Sequence, residues 1–153
     1  MRVYADTSVF GGTHDDLFEA GSNAFFEQVR KGRFQLVVSE LVEKELRGAP
    51  KAVRAVFAEL LPDMEVVQES APALILQQAY LDARVVTPNW ADDALHVALA
   101  SVSECSVIVS WNFQHIVNLR RIPLYNAISM IHGYRSIEIR SPMEILEYDD
   151  QDH

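Results

Sequence analysis

The sequence predicts one α/β domain, a three-layer α/β/α sandwich around a central, mostly parallel sheet. Three observations carry that expectation. Short β-prone runs alternate with stretches of helical periodicity, which is the order that builds a parallel sheet with helices on its faces. The run Ser106-Val107-Ile108-Val109-Ser110 is unbroken in apolar residues at its centre, as strands buried on both faces are. A chain of 153 residues, 49% hydrophobic and 23% charged, suits one core, with no repeat and no Gly/Ser-rich linker to divide it.

Each element has its own reason. Arg2-Val3-Tyr4-Ala5-Asp6 is a buried strand closed by the polar Asp6-Thr7-Ser8. Phe18, Phe25 and Val29 form one apolar stripe within a helix from Asp15 to Lys31. Phe34-Gln35-Leu36-Val37-Val38 is the second strand. Ser39 then caps a helix from Glu40 to Arg47, which Gly48 and Pro50 stop, and Pro50 suits the first position of the next helix. Val53, Val56, Phe57 and Leu60 recur at helical spacing, Met64-Glu65-Val66-Val67 offers a short strand, and Ala71 to Val85 is compatible with helix. Asn89 is the expected cap of a further helix with Asp92 three residues on, a buried stripe of Leu95, Ala98, Leu99 and Val102, and the acids on its other face. Ile137-Glu138-Ile139 alternates as an edge strand does, and Ser141-Pro142-Met143-Glu144 is a capping box opening a terminal helix. The domain is expected to span residues 1–147, with 148–153 an acidic, frayed tail.

Composition then removes several function classes. No run approaches the roughly 18 apolar residues that a spanning helix needs, and Asp6 falls where a signal peptide would be apolar, so no membrane association and a cytoplasmic location are expected. The single Cys105 has no cysteine partner for a disulfide or a structural zinc site and reads as a small buried hydrophobe. A net charge of -9 argues against coating nucleic acid through a broad basic face. It leaves a nuclease open, because metal-holding carboxylates contribute to that charge.

In open parallel sheets the ligand crevice lies beyond the carboxyl ends of the strands. That places Asp6 after the first strand, Glu45 on the helix after the second, Asp92 and Asp93 at the start of the helix before the central strand, and Asn112 after it. So many acids in one crevice repel unless a hard cation such as Mg²⁺ or Mn²⁺ with oxygen ligands neutralises them.

Four segments resemble the PIN-domain ribonucleases, especially the VapC-like toxins of toxin–antitoxin pairs. They are Val3-Tyr4-Ala5-Asp6-Thr7-Ser8-Val9-Phe10, Val38-Ser39-Glu40-Leu41-Val42-Glu43-Lys44-Glu45-Leu46, Asp93-Ala94-Leu95-His96-Val97-Ala98-Leu99-Ala100 and Ile108-Val109-Ser110-Trp111-Asn112-Phe113, in the family's order over nearly the whole chain. The resemblance implies a PIN-like fold and Mg²⁺- or Mn²⁺-dependent hydrolysis of single-stranded RNA. It also implies a small antitoxin partner, often a homodimer, and Asp6, Glu45 and Asp93 as the acidic metal site. Where the family usually carries a further acid after the central strand, this chain has Asn112, an auxiliary ligand through its amide oxygen that brings no charge.

Structural alternatives stand beside these roles. Asp6 equally caps the segment from Thr7, Glu45 equally belongs to a solvated helix face, and Asp92 complements a helix dipole. Thr7 and Ser8 either bond a scissile phosphate or turn the chain; His115 either touches phosphate or caps its loop. His96, three residues after Asp93, either orients that carboxylate or is a satisfied core histidine. Lys44 and Arg47 flank Glu45 and are suited to guiding an RNA backbone. Two rival functions remain: a degenerate PIN scaffold that binds a protein or RNA without cutting, and a receiver-like domain with Asp6 as phospho-acceptor. The second is disfavoured because Ser8 stands where the paired acid of such phosphatases is found.

Overall fold

The computed structural model describes residues 1–151. Its centre is a five-stranded sheet of β1 (Arg2–Ala5), β2 (Gln35–Ser39), β3 (Met64–Val67), β4 (Val107–Val109) and β5 (Glu138–Arg140), in the order β3-β2-β1-β4-β5. Every pairing is parallel, with Tyr4 opposite Val37 on one side and Ile108 on the other. Val3, Tyr4, Ala5, Leu36, Val37, Val38, Ile108 and Val109 are wholly buried, which explains why these strands read as apolar runs rather than alternating ones.

Helices cover both faces. On one side lie α1 (Thr7–Gly12), α2 (Glu19–Arg30), α3 (Glu40–Leu46), α4 (Lys51–Leu60) and α8 (Pro142–Gln151), where α1 packs on α2, α3 and α4, and α2 on α8. On the other, α5 (Ala71–Asp82), α6 (Ala91–Val102) and α7 (Arg121–Ile131) pack on one another. The chain therefore has the three-layer α/β/α architecture. Ser39 caps α3 by accepting the Val42 N–H, and Ser141 and Glu144 exchange the two bonds of a capping box at 3.3 and 3.0 Å. The backbone stays helical to Gln151, within the expected tail, and Asp152 and His153 lie outside the described residues.

Several expectations change. The helix expected from Asp15 begins only at Glu19, while a helix not expected from the sequence, Thr7–Gly12, follows directly on Asp6, which caps it, with Val9 and Phe10 buried beneath it. Pro50 sits at the cap of α4 rather than inside it. The helix read as reaching Val85 stops at Asp82, where Arg84 takes the left-handed conformation with φ of 59°. Asn89 caps nothing, because Pro88–Trp90 forms a 3₁₀ turn that carries the chain into α6 from Trp90. Helix α6 has no polar face beyond its first turn, since Ala94 to Ser101 are all buried against the sheet and the neighbouring helices.

The order of strands decides where chemistry is possible. The chain builds outward from β1 through β2 to β3, then returns to β4 on β1's other side. The ends of β1 and β4 thus flank the point where the winding reverses, which is where open parallel sheets place their ligand sites. Asp6 follows β1 and Ser110-Trp111-Asn112 follows β4.

Candidate acidic active site

Asp6 is buried and its carboxylate ties the ends of β1 and β4 together. Oδ1 accepts from the Ser8 backbone N–H at 3.2 Å and the Ser8 hydroxyl at 2.6 Å; Oδ2 accepts from the Ser110 hydroxyl at 2.7 Å. Both serines relay the order onward. Ser8 Oγ accepts the Trp111 N–H and Ser110 Oγ the Asn112 N–H, each at 2.9 Å. Burial lifts the Asp6 carboxyl above its ordinary range, the charge of Glu45 adds to that, and His96, Ser110 and Ser8 offset it only in part.

The loop beyond β4 is pinned from the other side. Trp111 donates its indole N–H to Ser22 at 2.9 Å and stacks on Phe18 at 4.5 Å. It presses so closely on α1 and α2 that a Cβ at Gly12 would come within 2.7 Å of its Nε1 and one at Gly21 within 2.6 Å of its ring. Glycine at 12 and 21 is therefore what lets the indole, and with it Ser110 and Asn112, sit against Asp6.

Glu45 approaches from α3. Its Oε1 accepts from the Thr7 hydroxyl at 2.8 Å and from His96 Nε2 at 2.5 Å. Burial opposes the Glu45 charge, but the bond to His96, that ring's positive charge, Thr7 and Lys44 together hold its carboxyl below the usual range. Behind it runs a buried chain: His96 Nδ1 meets the Tyr4 hydroxyl at 2.8 Å, and Tyr4 meets Ser39 Oγ at 2.7 Å. His96 thus grips Glu45, on a helix 51 residues away in sequence, and is at the same time a satisfied core residue. Replacing His96 with Leu is expected to cost about 1 kcal/mol or more, because the buried Tyr4 hydroxyl keeps only Ser39 and Glu45 loses a charged partner. In chemical denaturation, Tyr4→Phe should then add less on the His96→Leu background than alone; additive losses would show that the two side chains are not coupled.

Asp93 enters from the first turn of α6. Its Oδ2 lies 3.3 Å from His115 Nδ1, and Asn112 hydrogen-bonds the same carboxylate. Burial nevertheless raises its carboxyl above the ordinary value, reinforced by Asp6 and opposed by His115, His96 and Asn112. Asn112 Oδ1 is engaged by the backbone, accepting the Gln114 N–H at 3.2 Å and the His115 N–H at 2.9 Å. The amide oxygen expected to face a ligand therefore shapes the loop, and the amide nitrogen faces Asp93.

The structure brings Asp6, Glu45, Asp93 and Asn112 to the same end of the sheet, with Thr7, Ser8 and His115 among their hydrogen-bond partners. The Thr7 and Ser8 hydroxyls are spent on Glu45 and Asp6. Lys44 acts on Glu45 through its charge, whereas Arg47 lines a groove between α3 and α4 with Glu40, Glu43, Leu46, Arg54 and Phe57. Tyr4, Ser110 and Trp90 were not foreseen. Trp90 covers the His115 ring at 4.2 Å.

The donor set is all oxygen, which suits a hard divalent cation, and burial leaves Asp6 and Asp93 with carboxyls raised rather than relieved. Among the described residues, however, no group of three or more His, Cys, Asp or Glu side chains is gathered closely enough to hold a metal ion. Each acid leans on its own protein partners, Asp6 on Ser8 and Ser110, Glu45 on Thr7 and His96, Asp93 on His115. Cys105 stands apart, buried, with its thiol pushed up to about 12 by burial, so it supplies no soft ligand.

No family model matches the chain, and no curated protein matches its sequence. Among the described residues, no helix is long and apolar enough to cross a membrane. Solved structures do match in fold. A chain in the crystal structure of VapBC2 from Rickettsia felis, bound to a DNA fragment from their promoter, matches with a TM-score of 0.61 and 14% identity over 92% of this chain and 98% of that one. A chain in the crystal structure of FitAcB from Neisseria gonorrhoeae matches with a TM-score of 0.58 and 12% identity over 92% and 98% of the two chains. At those identities the shared property is the fold.

Proposed function

We propose that this protein is a metal-dependent endoribonuclease that hydrolyses phosphodiester bonds of single-stranded RNA, acting in the cytoplasm as the VapC-like toxin of a toxin–antitoxin pair. The observation that supports the reading is that Asp93 lies close enough to Asp6 to feel its charge, both with carboxyls raised by burial, and with serines, a histidine and an amide rather than Lys or Arg beside them. Buried acids whose charge is left without a basic partner mark a candidate cation site. Asp6 and Asp93 would hold Mg²⁺ or Mn²⁺, with Glu45 as a third ligand or a water-positioning group. A bound divalent cation supplies Lewis-acid chemistry, offsetting charge on phosphoryl oxygens and lowering the pKa of a water. The chain's own contribution is positional: Ser8 and Ser110 fix the Asp6 carboxylate, Asn112 and His115 fix Asp93, and His96 with Thr7 fixes Glu45. The resemblance of four segments to VapC-like toxins, together with the fold shared with chains of VapBC2 and FitAcB, supports a small antitoxin as partner, and the resemblance alone implies a homodimer.

Single-stranded RNA incubated with the protein should be cut in Mg²⁺ or Mn²⁺ and left whole when EDTA is added. Undiminished cleavage in chelator would overturn the metal-dependent reading. One observation favours a second reading, a scaffold that binds without cutting: Asn112 stands where an acid would complete the site, and the three carboxylates are not drawn into one cluster. Under that reading neither metal nor RNA cleavage is found, and calorimetric titration with Mn²⁺ yields no heat of binding.

A further inference from the structure

A protein of net charge -9 cannot draw RNA mainly through its overall field, so a nuclease built on this chain needs another source of affinity near its acids. The structure offers one at Trp90. This side chain ends the 3₁₀ turn leading into α6, three residues before Asp93, and is 46% exposed although it is among the largest apolar groups in the chain. One face of the indole is covered by the His115 imidazole, with ring centres 4.2 Å apart and planes inclined by 21°, so what is open to solvent is the opposite face and the rim.

The orientation of that open face is fixed. His115 is nearly buried; its Nδ1 lies 3.3 Å from Asp93 Oδ2, its backbone N–H is held by Asn112 Oδ1 at 2.9 Å, and its carbonyl accepts the Tyr125 hydroxyl at 2.8 Å. The imidazole therefore meets the indole with one face and Asp93 with its Nδ1, so a single ring links Trp90 to the acid. A flat, preorganised aromatic face beside a phosphate-cleaving site is suited to an unpaired base, because stacking demands a π-face and not a sequence.

Resting on the nuclease reading above, we propose that the exposed face of Trp90 is a stacking platform for the unpaired nucleobase flanking the phosphate that is cut. It continues the His115–Trp90 stack by one ring. The platform selects single-stranded over duplex RNA, since a paired base has no free face to offer, and it supplies affinity without a cation.

The test uses the full chain carrying Asp6→Asn, so that RNA is bound without being cut, and short oligoribonucleotides in which each base in turn is replaced by an abasic site. Binding should weaken about tenfold at one abasic position, the one beside the phosphate that the parent cleaves. Trp90→Leu, which keeps an apolar cover over His115, should bind the intact oligonucleotide about tenfold more weakly, become indifferent to that abasic site, and keep the parent's salt dependence. Trp90→Phe should restore most of the loss. If Trp90→Leu binds as the parent does, or still responds to the abasic site, the platform is overturned while the nuclease reading stands. A parent that cuts no RNA and binds none overturns both. Loss in both Leu and Phe variants, with no position singled out by the abasic series, shows that Trp90 only braces His115 and also overturns the proposal.

Discussion

In Asp6→Asn, RNA cleavage falls to the level of the chelated parent, while the metal-free variant melts no lower than the metal-free parent and rises above it at neutral pH. The reasoning starts from burial. The folded protein holds the Asp6 carboxyl above its unfolded value, so ionised Asp6 opposes folding. That opposition is complete above the raised folded pKa and vanishes as pH falls below the unfolded one. Asparagine has the same size and lacks the penalty. Its amide oxygen still accepts from the Ser8 N–H and hydroxyl; its amide nitrogen donates to Ser110 Oγ, whose own hydrogen can turn toward Ser8 Oγ at 3.4 Å. The advantage of the variant over the parent in chelator should therefore shrink as the pH is lowered through the carboxylate range.

Metal should invert the order. An ion that binds only the folded state stabilises by mass action, and the parent, with one more carboxylate, gains more from millimolar Mg²⁺ or Mn²⁺. If Asp6 were no more than the cap of α1, Asn would serve nearly as well in every condition and cleavage would survive. Thermal melts of both proteins with metal and with chelator, beside one cleavage assay, separate these outcomes, and a melting difference indifferent to metal with cleavage intact would sink the site.

Part of this was legible in the chain itself, and the part that was not has physical causes. Strand β4 was visible because a strand buried on both faces cannot alternate, and α3 and α8 because Ser39 and the Ser141–Glu144 pair mark their starts. Helix α1 was hidden by its brevity and by Gly11 and Gly12; its order comes from the Asp6 cap and from burial of Val9 and Phe10 in a core made by distant segments. Helix α7 was hidden by Pro123 near its start and by the exposure of Leu124, Met130 and Ile131, which blurs any apolar stripe. Asp6 and Asn112 could be placed from the sequence because topology alone carries residues that follow β1 and β4 to the switch point. The supports of the site could not: His96 to Glu45, Ser110 to Asp6 and Trp90 to His115 join elements far apart in sequence, and no local pattern records which partner a polar side chain will meet.

Asn112→Asp should behave in the opposite sense from Asp6→Asn, because here a charge is added beside the acids. In the parent, the Asn112 amide holds the loop with its oxygen and donates toward Asp93 with its nitrogen. An aspartate keeps the first function, since one carboxylate oxygen can accept from the Gln114 and His115 N–H groups. It reverses the second. The donor facing Asp93 becomes a like charge beside a carboxyl already raised by burial and by Asp6, and a hydrogen bond to a charged group is worth about 1.5–3 kcal/mol. In chelator the variant should melt below the parent by a corresponding amount, with the deficit fading at low pH as the added carboxylate and Asp93 take up protons. A divalent cation turns the same charge into an asset, because affinity at oxygen sites rises with the number of ligating charges. Calorimetric titration should show Mn²⁺ bound about tenfold or more tightly by Asn112→Asp, and saturating Mn²⁺ should restore its melting temperature to that of the parent or above. An unchanged Mn²⁺ affinity, with the stability deficit persisting in metal, would place residue 112 outside the coordination sphere and leave it the loop-shaping role that its amide oxygen already performs.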